Sequence, residues 1–168
     1  MEMNHRQFRA LLCNNSPSQS PAVRYGGASV KDIHNFLTSK PPSASTLIIH
    51  AGTNDIKFQQ SETLKADFIH LIHHIQQLNL HCIISGPLPS PRYRDTKFSR
   101  IRQLHIWLKS YCHSLNIHYV DNFTAFYNRP NLFKPDGLHP NHKASKDALE
   151  KRCYFKSEEN LWESGEKI

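Results

Sequence analysis

Short apolar runs alternate with longer stretches of helical periodicity along most of this chain. The runs at 22–25, 46–49, 80–85 and 117–120 are four to six residues long, and three of them close on Gly26-Gly27, Gly86-Pro87 and Asp121-Asn122. Apolar runs of that length bounded by turn residues predict strands. Between them, apolar positions recur every three or four residues. Val30, Ile33, Phe36 and Leu37 share one face of a helix predicted over 29–38, with Ser29 as its cap and Pro41-Pro42 past its end. Leu64, Phe68, Leu71, Ile72, Ile75 and Leu78 mark the longest helix, 61–80, where Ser61-Glu62-Thr63-Leu64 suits a capped start. Ile101, Leu104, Trp107, Leu108 and Tyr111 mark another over 98–115. Strands alternating with helices predict a parallel sheet covered on both faces.

The ends do not share this pattern. Residues 1–20 read as a poorly ordered segment, although Ala10-Leu11-Leu12-Cys13 is strand-like, and residues 151–168 read as a charged tail. That leaves 21–150 as one domain. A hydrophobic content of 38% in 168 residues is enough for its core. No apolar run approaches the length of a membrane span, and the polar start, residues 1–9, lacks the apolar stretch of a signal peptide. Of the cysteines Cys13, Cys82, Cys112 and Cys153, the middle two lie in apolar runs and read as reduced core residues, which suits the cytosol or the nucleus.

Charge changes the picture modestly. The net charge is +7, but residues 147–168 hold six acids and four bases, so the remainder stands at +9. Arg92, Arg94, Lys97, Arg100 and Arg102 make its densest stretch, with Tyr93 between two arginines. Basic residues with an interleaved aromatic suit RNA or single-stranded DNA, while the plainer account is a solvated loop and helix face.

Chemistry gathers in two distant segments. His50-Ala51-Gly52-Thr53-Asn54-Asp55 follows the apolar run Thr46-Leu47-Ile48-Ile49, and so lies where a parallel strand ends and ligands commonly bind. Asp136-Gly137-Leu138-His139-Pro140-Asn141 offers a carboxylate and an imidazole three residues apart, a pairing that suits a histidine base oriented by an acid. Taken singly, Asn54, Asp55 and Asp136-Gly137 also read as turn residues, and His139 as a loop histidine.

In this order, the two segments resemble the SGNH (GDSL-like) hydrolase family, serine esterases and lipases of flavodoxin-like α/β fold. The resemblance spans about residues 22–145. More narrowly, the runs Leu47-Ile48-Ile49-His50-Ala51-Gly52-Thr53-Asn54-Asp55 and Lys134-Pro135-Asp136-Gly137-Leu138-His139-Pro140 are similar to the esterase-type domain in the first open reading frame of vertebrate LINE-type retrotransposons. The resemblance implies a three-layer flavodoxin-like parallel sheet and hydrolysis of short acyl esters without a metal or other cofactor. It implies that Gly27 supplies a backbone N–H and Asn54 a side-chain N–H to an oxyanion, with His139 as general base and Asp136 as its orienting carboxylate. Glycine suits that place because the backbone must approach the substrate closely, at a helix N-terminus that favours negative charge.

One family motif is missing. A strand ending in Gly-Asp-Ser should precede Gly27 by a helix-length connection and bring the nucleophile. Ser16 is only eleven positions before Gly27, too few for a crossover between parallel strands, and Ser18 and Ser20 are closer still. The sequence therefore predicts a domain without its first strand, with two facing sheet edges left bare and catalysis impaired for want of a serine. The rival reading is a non-catalytic, retroelement-derived nucleic-acid-binding module using the basic stretch. His70, His73 and His74 lack the Glu or Cys of a zinc-hydrolase pattern and read as surface histidines.

Overall fold

The computed structural model describes residues 9–13, 22–23, 28–43, 45–57 and 60–144. Its elements in chain order are β1 (Arg9–Cys13), β2 (Ala22–Val23), α1 (Val30–Ser39), β3 (Thr46–His50), α2 (Ser61–Gln77), β4 (His81–Ser85), α3 (Asp95–Ser114), β5 (His118–Val120) and α4 (Asn122–Phe126). Single 3₁₀ turns at Asp55–Lys57 and Pro130–Leu132 complete them.

The strands form one sheet in the order β2-β1-β3-β4-β5. The trio β3, β4 and β5 is parallel, with Ile49 opposite Ile84 and Ser85 opposite Val120. This is the α/β arrangement expected for the flavodoxin-like class. Leu47, Ile49, Cys82 and Ile84 join one core with the buried faces of α1, α2 and α3. The alternate residues Ile48 and Ile83 are also at most 3% exposed, so both sheet faces are covered.

The beginning of the chain corrects two expectations. Five of the first twenty residues, Arg9–Cys13, are a strand, and it lies between β2 and β3 where bare edges were expected. It runs antiparallel to both neighbours, with Arg9 opposite His50 and Cys13 opposite Thr46. Unpaired backbone N–H and C=O groups on two facing edges are costly, and an apolar segment of either direction relieves that cost. Among the described residues, the place of the parallel first strand that the resemblance implies is taken by a reversed one. Of the strand expected at 22–25, Ala22–Val23 is formed. Residues 24–27, and with them Gly27, lie outside the described residues, as does the predicted tail 151–168.

The helices follow the apolar pattern with adjusted ends. Ser29 caps α1 in a reciprocal box: its Oγ accepts from Asp32 N–H at 3.1 Å, and Asp32 Oδ2 accepts from Ser29 N–H at 2.8 Å. Helix α2 begins at the expected Ser61, but Gln60 is its N-cap and provides no side-chain hydrogen bond. Helix α3 starts at Asp95, three residues earlier than its apolar stripe indicates. Asn79 and Asn116 follow α2 and α3 with φ of 54° and 55°, left-handed positions that end helices and that asparagine tolerates. Helix α4 was not legible as a helix. Asp121 caps it by accepting from Thr124 N–H at 2.9 Å. Cys82 and Cys112 are buried free thiols as read, and burial pushes both up to about 12.

Candidate active site

The end of β3 is shaped by one glycine. Gly52 has φ of +101°, and a Cβ there would lie 2.9 Å from Leu104 Cδ2 on α3 and 3.1 Å from Phe68 Cε2 on α2. Only a residue without a side chain lets the backbone turn this closely over the two helices. The turn leaves Thr53 and Asn54 partly buried and sends Asp55 inward, 2% exposed.

Asp55 does structural chemistry. Its Oδ1 and Oδ2 accept from Val30 N–H at 3.1 and 3.3 Å, which ties the first turn of α1 to the loop after β3. Burial raises the carboxyl above its ordinary value, and the Val30 hydrogen bond opposes that rise only in part. Asn54 is half-buried next to this link. Its Nδ2 donates to Ala28 O at 3.3 Å, placing the amide against the residue that follows Gly27.

His139 and Asp136 form the pair expected from their spacing, with Nδ1 2.6 Å from Oδ2. A carboxylate only accepts, so Nδ1 carries a proton, and in the neutral imidazole that tautomer leaves the lone pair on Nε2. Asp136 Oδ1 also accepts from the N–H groups of Leu138 at 2.9 Å and His139 at 3.1 Å. The His139 contact, followed by these two N–H groups, holds the Asp136 carboxyl well below the usual carboxylate range. The loop closes on itself through Lys134 N–H to His139 O at 2.7 Å, with Gly137 at a φ of +65°.

Both groups stand at the C-terminal edge of the parallel strands. Asn54 belongs to the connection after β3, and the 136–139 loop rests on the connection after β4. There Ser90 donates its hydroxyl to Gly137 O, and Arg92 donates a guanidinium N–H to Asp136 O at 3.4 Å. At the ends of β3 and β4 lies a polar cluster that the sequence did not announce. His50 Nδ1 is 3.1 Å from Ser85 O, and Asn122 Nδ2 donates to Ser85 Oγ and to Gly86 O, each at 2.8 Å. Neither Ser85, Ser90 nor Asn122 carried any pattern of its own, since each acts through neighbours distant in sequence.

The basic stretch is largely occupied within the chain. Lys97 Nζ lies 3.9 Å from the centre of the Tyr93 ring, Arg100 donates to Ile56 O, and Arg92 makes a long, exposed contact to Asp136 O. Tyr93 is partly buried against the core. The histidines on α2 divide: His70 and His73 are exposed, whereas His74 is partly buried, with its ring 5.1 Å from that of His34 on α1. The surface reading therefore does not fit His74.

Comparison with known proteins agrees with this architecture. The chain is similar to the esterase domain of the ZfL2-1 ORF1 protein from the zebrafish ZfL2-1 retrotransposon, at 33% identity over 79% of this chain and 82% of that one, with a TM-score of 0.56. It shares its fold with a GDSL-like lipase from Bacteroides thetaiotaomicron (17% identity, TM-score 0.68, 79% and 73% of the two chains). An acetylxylan esterase from Geobacillus stearothermophilus shares it too (18%, 0.64, 75% and 68%). No curated protein sequence matches. Residues 4–146 match the GDSL-like lipase/acylhydrolase family, and to that family this chain belongs.

Proposed function

We propose that this chain is a serine-esterase domain by descent that retains an acyl-ester site but has lost most of its turnover. In a complete relative a serine would attack the ester carbonyl. His139 Nε2 would take the serine proton, and Asp136 would hold the imidazole in the tautomer that leaves Nε2 free. Gly27 N–H and the second N–H of Asn54 would meet the developing oxyanion; losing one such donor typically costs about 3 kcal/mol of transition-state stabilisation. Among the described residues His139, Asp136 and Asn54 serve the last two tasks, and no serine is hydrogen-bonded to His139 Nε2 for the first.

The observation that carries the reading is the direction of β1. In this sheet order the strand between β2 and β3 is where the family's nucleophile strand belongs, ending at the edge that holds the 136–139 loop. Here that strand is reversed: Arg9 lies at the edge beside His50, and Cys13 lies at the opposite edge beside Thr46. Removing the serine from a triad of this type lowers kcat by roughly 10⁶-fold, leaving about 10³-fold over water from the remaining groups. The similarity to a retrotransposon esterase domain supports a retroelement origin for the coding sequence.

Hydrolysis of an aryl acetate by the purified chain, compared with His139→Ala and probed with a serine-directed phosphonate, tests the proposal. Turnover close to the buffer rate with no covalent label is expected. A large rate that depends on His139, together with a labelled serine, would overturn it. Nucleic-acid binding is the weaker reading because the Tyr93 ring already carries Lys97 over it and is partly buried against the core. Salt-dependent binding of single-stranded RNA, abolished by Arg92→Ala with Arg94→Ala, would reverse that ranking.

A further inference from the structure

The loop of Asp136 and His139 shapes itself but does not by itself choose where it sits. Its short hydrogen bonds run from Lys134 to His139, from Gly137 to Lys134, and from Leu138 and His139 to Asp136. All are internal to the loop. Its base is held by Phe133, bridged to Pro140 and packed on Phe126 of α4, while the hydrogen bonds that reach residues 136 and 137 from outside the loop come from the connection after β4. We infer that Ser90 is a positioning residue for the Asp136–His139 pair, a role that deepens the esterase reading and rests on it.

Four observations carry this. Ser90 is 2% exposed, so water does not compete for its hydroxyl. Its Oγ accepts from Arg92 N–H at 3.2 Å, which turns the hydroxyl proton toward Gly137 O. Gly137 lies between Asp136 and His139, so one bond sets the position of both. Finally, Ser90 stands between Pro89 and Pro91. Proline fixes its own φ and restricts the residue before it to extended backbone, so the hydroxyl is aimed before the loop arrives. The missing Cβ of Gly137 faces Arg92 Cβ at 3.5 Å and Pro91 Cγ at 3.8 Å, so the loop rests directly on this support. Arg92 adds only a long, solvent-exposed contact to the neighbouring carbonyl, at 3.4 Å.

The test follows the carboxyl of Asp136 and the amides of Leu138 and His139 by NMR in the parent chain, Ser90→Ala, Ser90→Thr and Arg92→Ala. In Ser90→Ala the Asp136 carboxyl should titrate higher than in the parent. Exchange of the two amides should quicken about tenfold, because one buried hydrogen bond no longer closes the loop. Ser90→Thr keeps the hydroxyl and should restore parent behaviour, and Arg92→Ala should change little. A merely structural serine would lower the urea midpoint without moving the Asp136 titration. That result, or an unchanged titration and unchanged exchange in Ser90→Ala, overturns the inference. Should Ser90→Ala fail to fold, Ser90→Cys, similar in size but a weak donor, must show the same displacement. The esterase reading fails separately, if residual hydrolysis is indifferent to His139, and that outcome leaves the effect of Ser90 on Asp136 measurable.

Discussion

Replacing Asp55 separates two opposing effects at the base of the candidate site. Its carboxylate accepts the Val30 N–H at the start of α1, yet burial disfavours its charge more than that bond favours it. Asp55→Ala leaves the Val30 N–H without an acceptor, at a cost of about 1–3 kcal/mol. Asp55→Asn retains an acceptor oxygen and removes the buried charge, so its net change should stay within about 1 kcal/mol. With a urea slope of about 2 kcal/mol per molar, a 2 kcal/mol loss lowers the unfolding midpoint by about 1 M. The sign with pH follows from the raised carboxyl. The folded state holds the Asp55 proton more tightly than the unfolded chain, whose value is near 3.8. This group's contribution is therefore most favourable in acid and is lost as pH rises through its folded value. Asp55→Asn should remove that trend. Equal midpoints for the parent and Asp55→Ala would refute the argument, as would Asp55→Asn being as damaging as Asp55→Ala.

Two further expectations concern packing and protonation. Gly52→Ala must accept a positive φ and a Cβ pressed against Leu104 and Phe68, so thermal unfolding should show it destabilised by about 2–4 kcal/mol; a melting temperature within a degree of the parent would contradict this. Burial lowers both His34 and His105 from 6.5, with His74 and His70 adding to the effect at His34 and Asp67 opposing it. Below that pH the unfolded chain takes up protons that the folded state resists. Stability should fall as pH drops from about 6.5 toward 5, and His34→Gln should flatten part of the slope in urea titrations at each pH.

The strand–helix alternation, the faces of α1, α2 and α3 and the chemistry of 136–139 were all legible in the order of residues. Each depends on spacing within one element or one loop: Val30, Ile33 and Leu37 share a helix face by periodicity alone, and three residues are enough to bring His139 back onto Asp136. Tertiary structure decided whatever depends on two distant segments meeting. The direction of β1 is one such case, because backbone hydrogen bonds can pair a short strand such as Arg9–Cys13 with β3 in either direction, and here it runs reversed. The roles of Asp55, Ser85, Ser90 and Asn122 are others. A lone buried polar residue has no periodic signature, and its partner, whether Val30 N–H, His50 or Gly137 O, exists only once the chain has folded to bring them together.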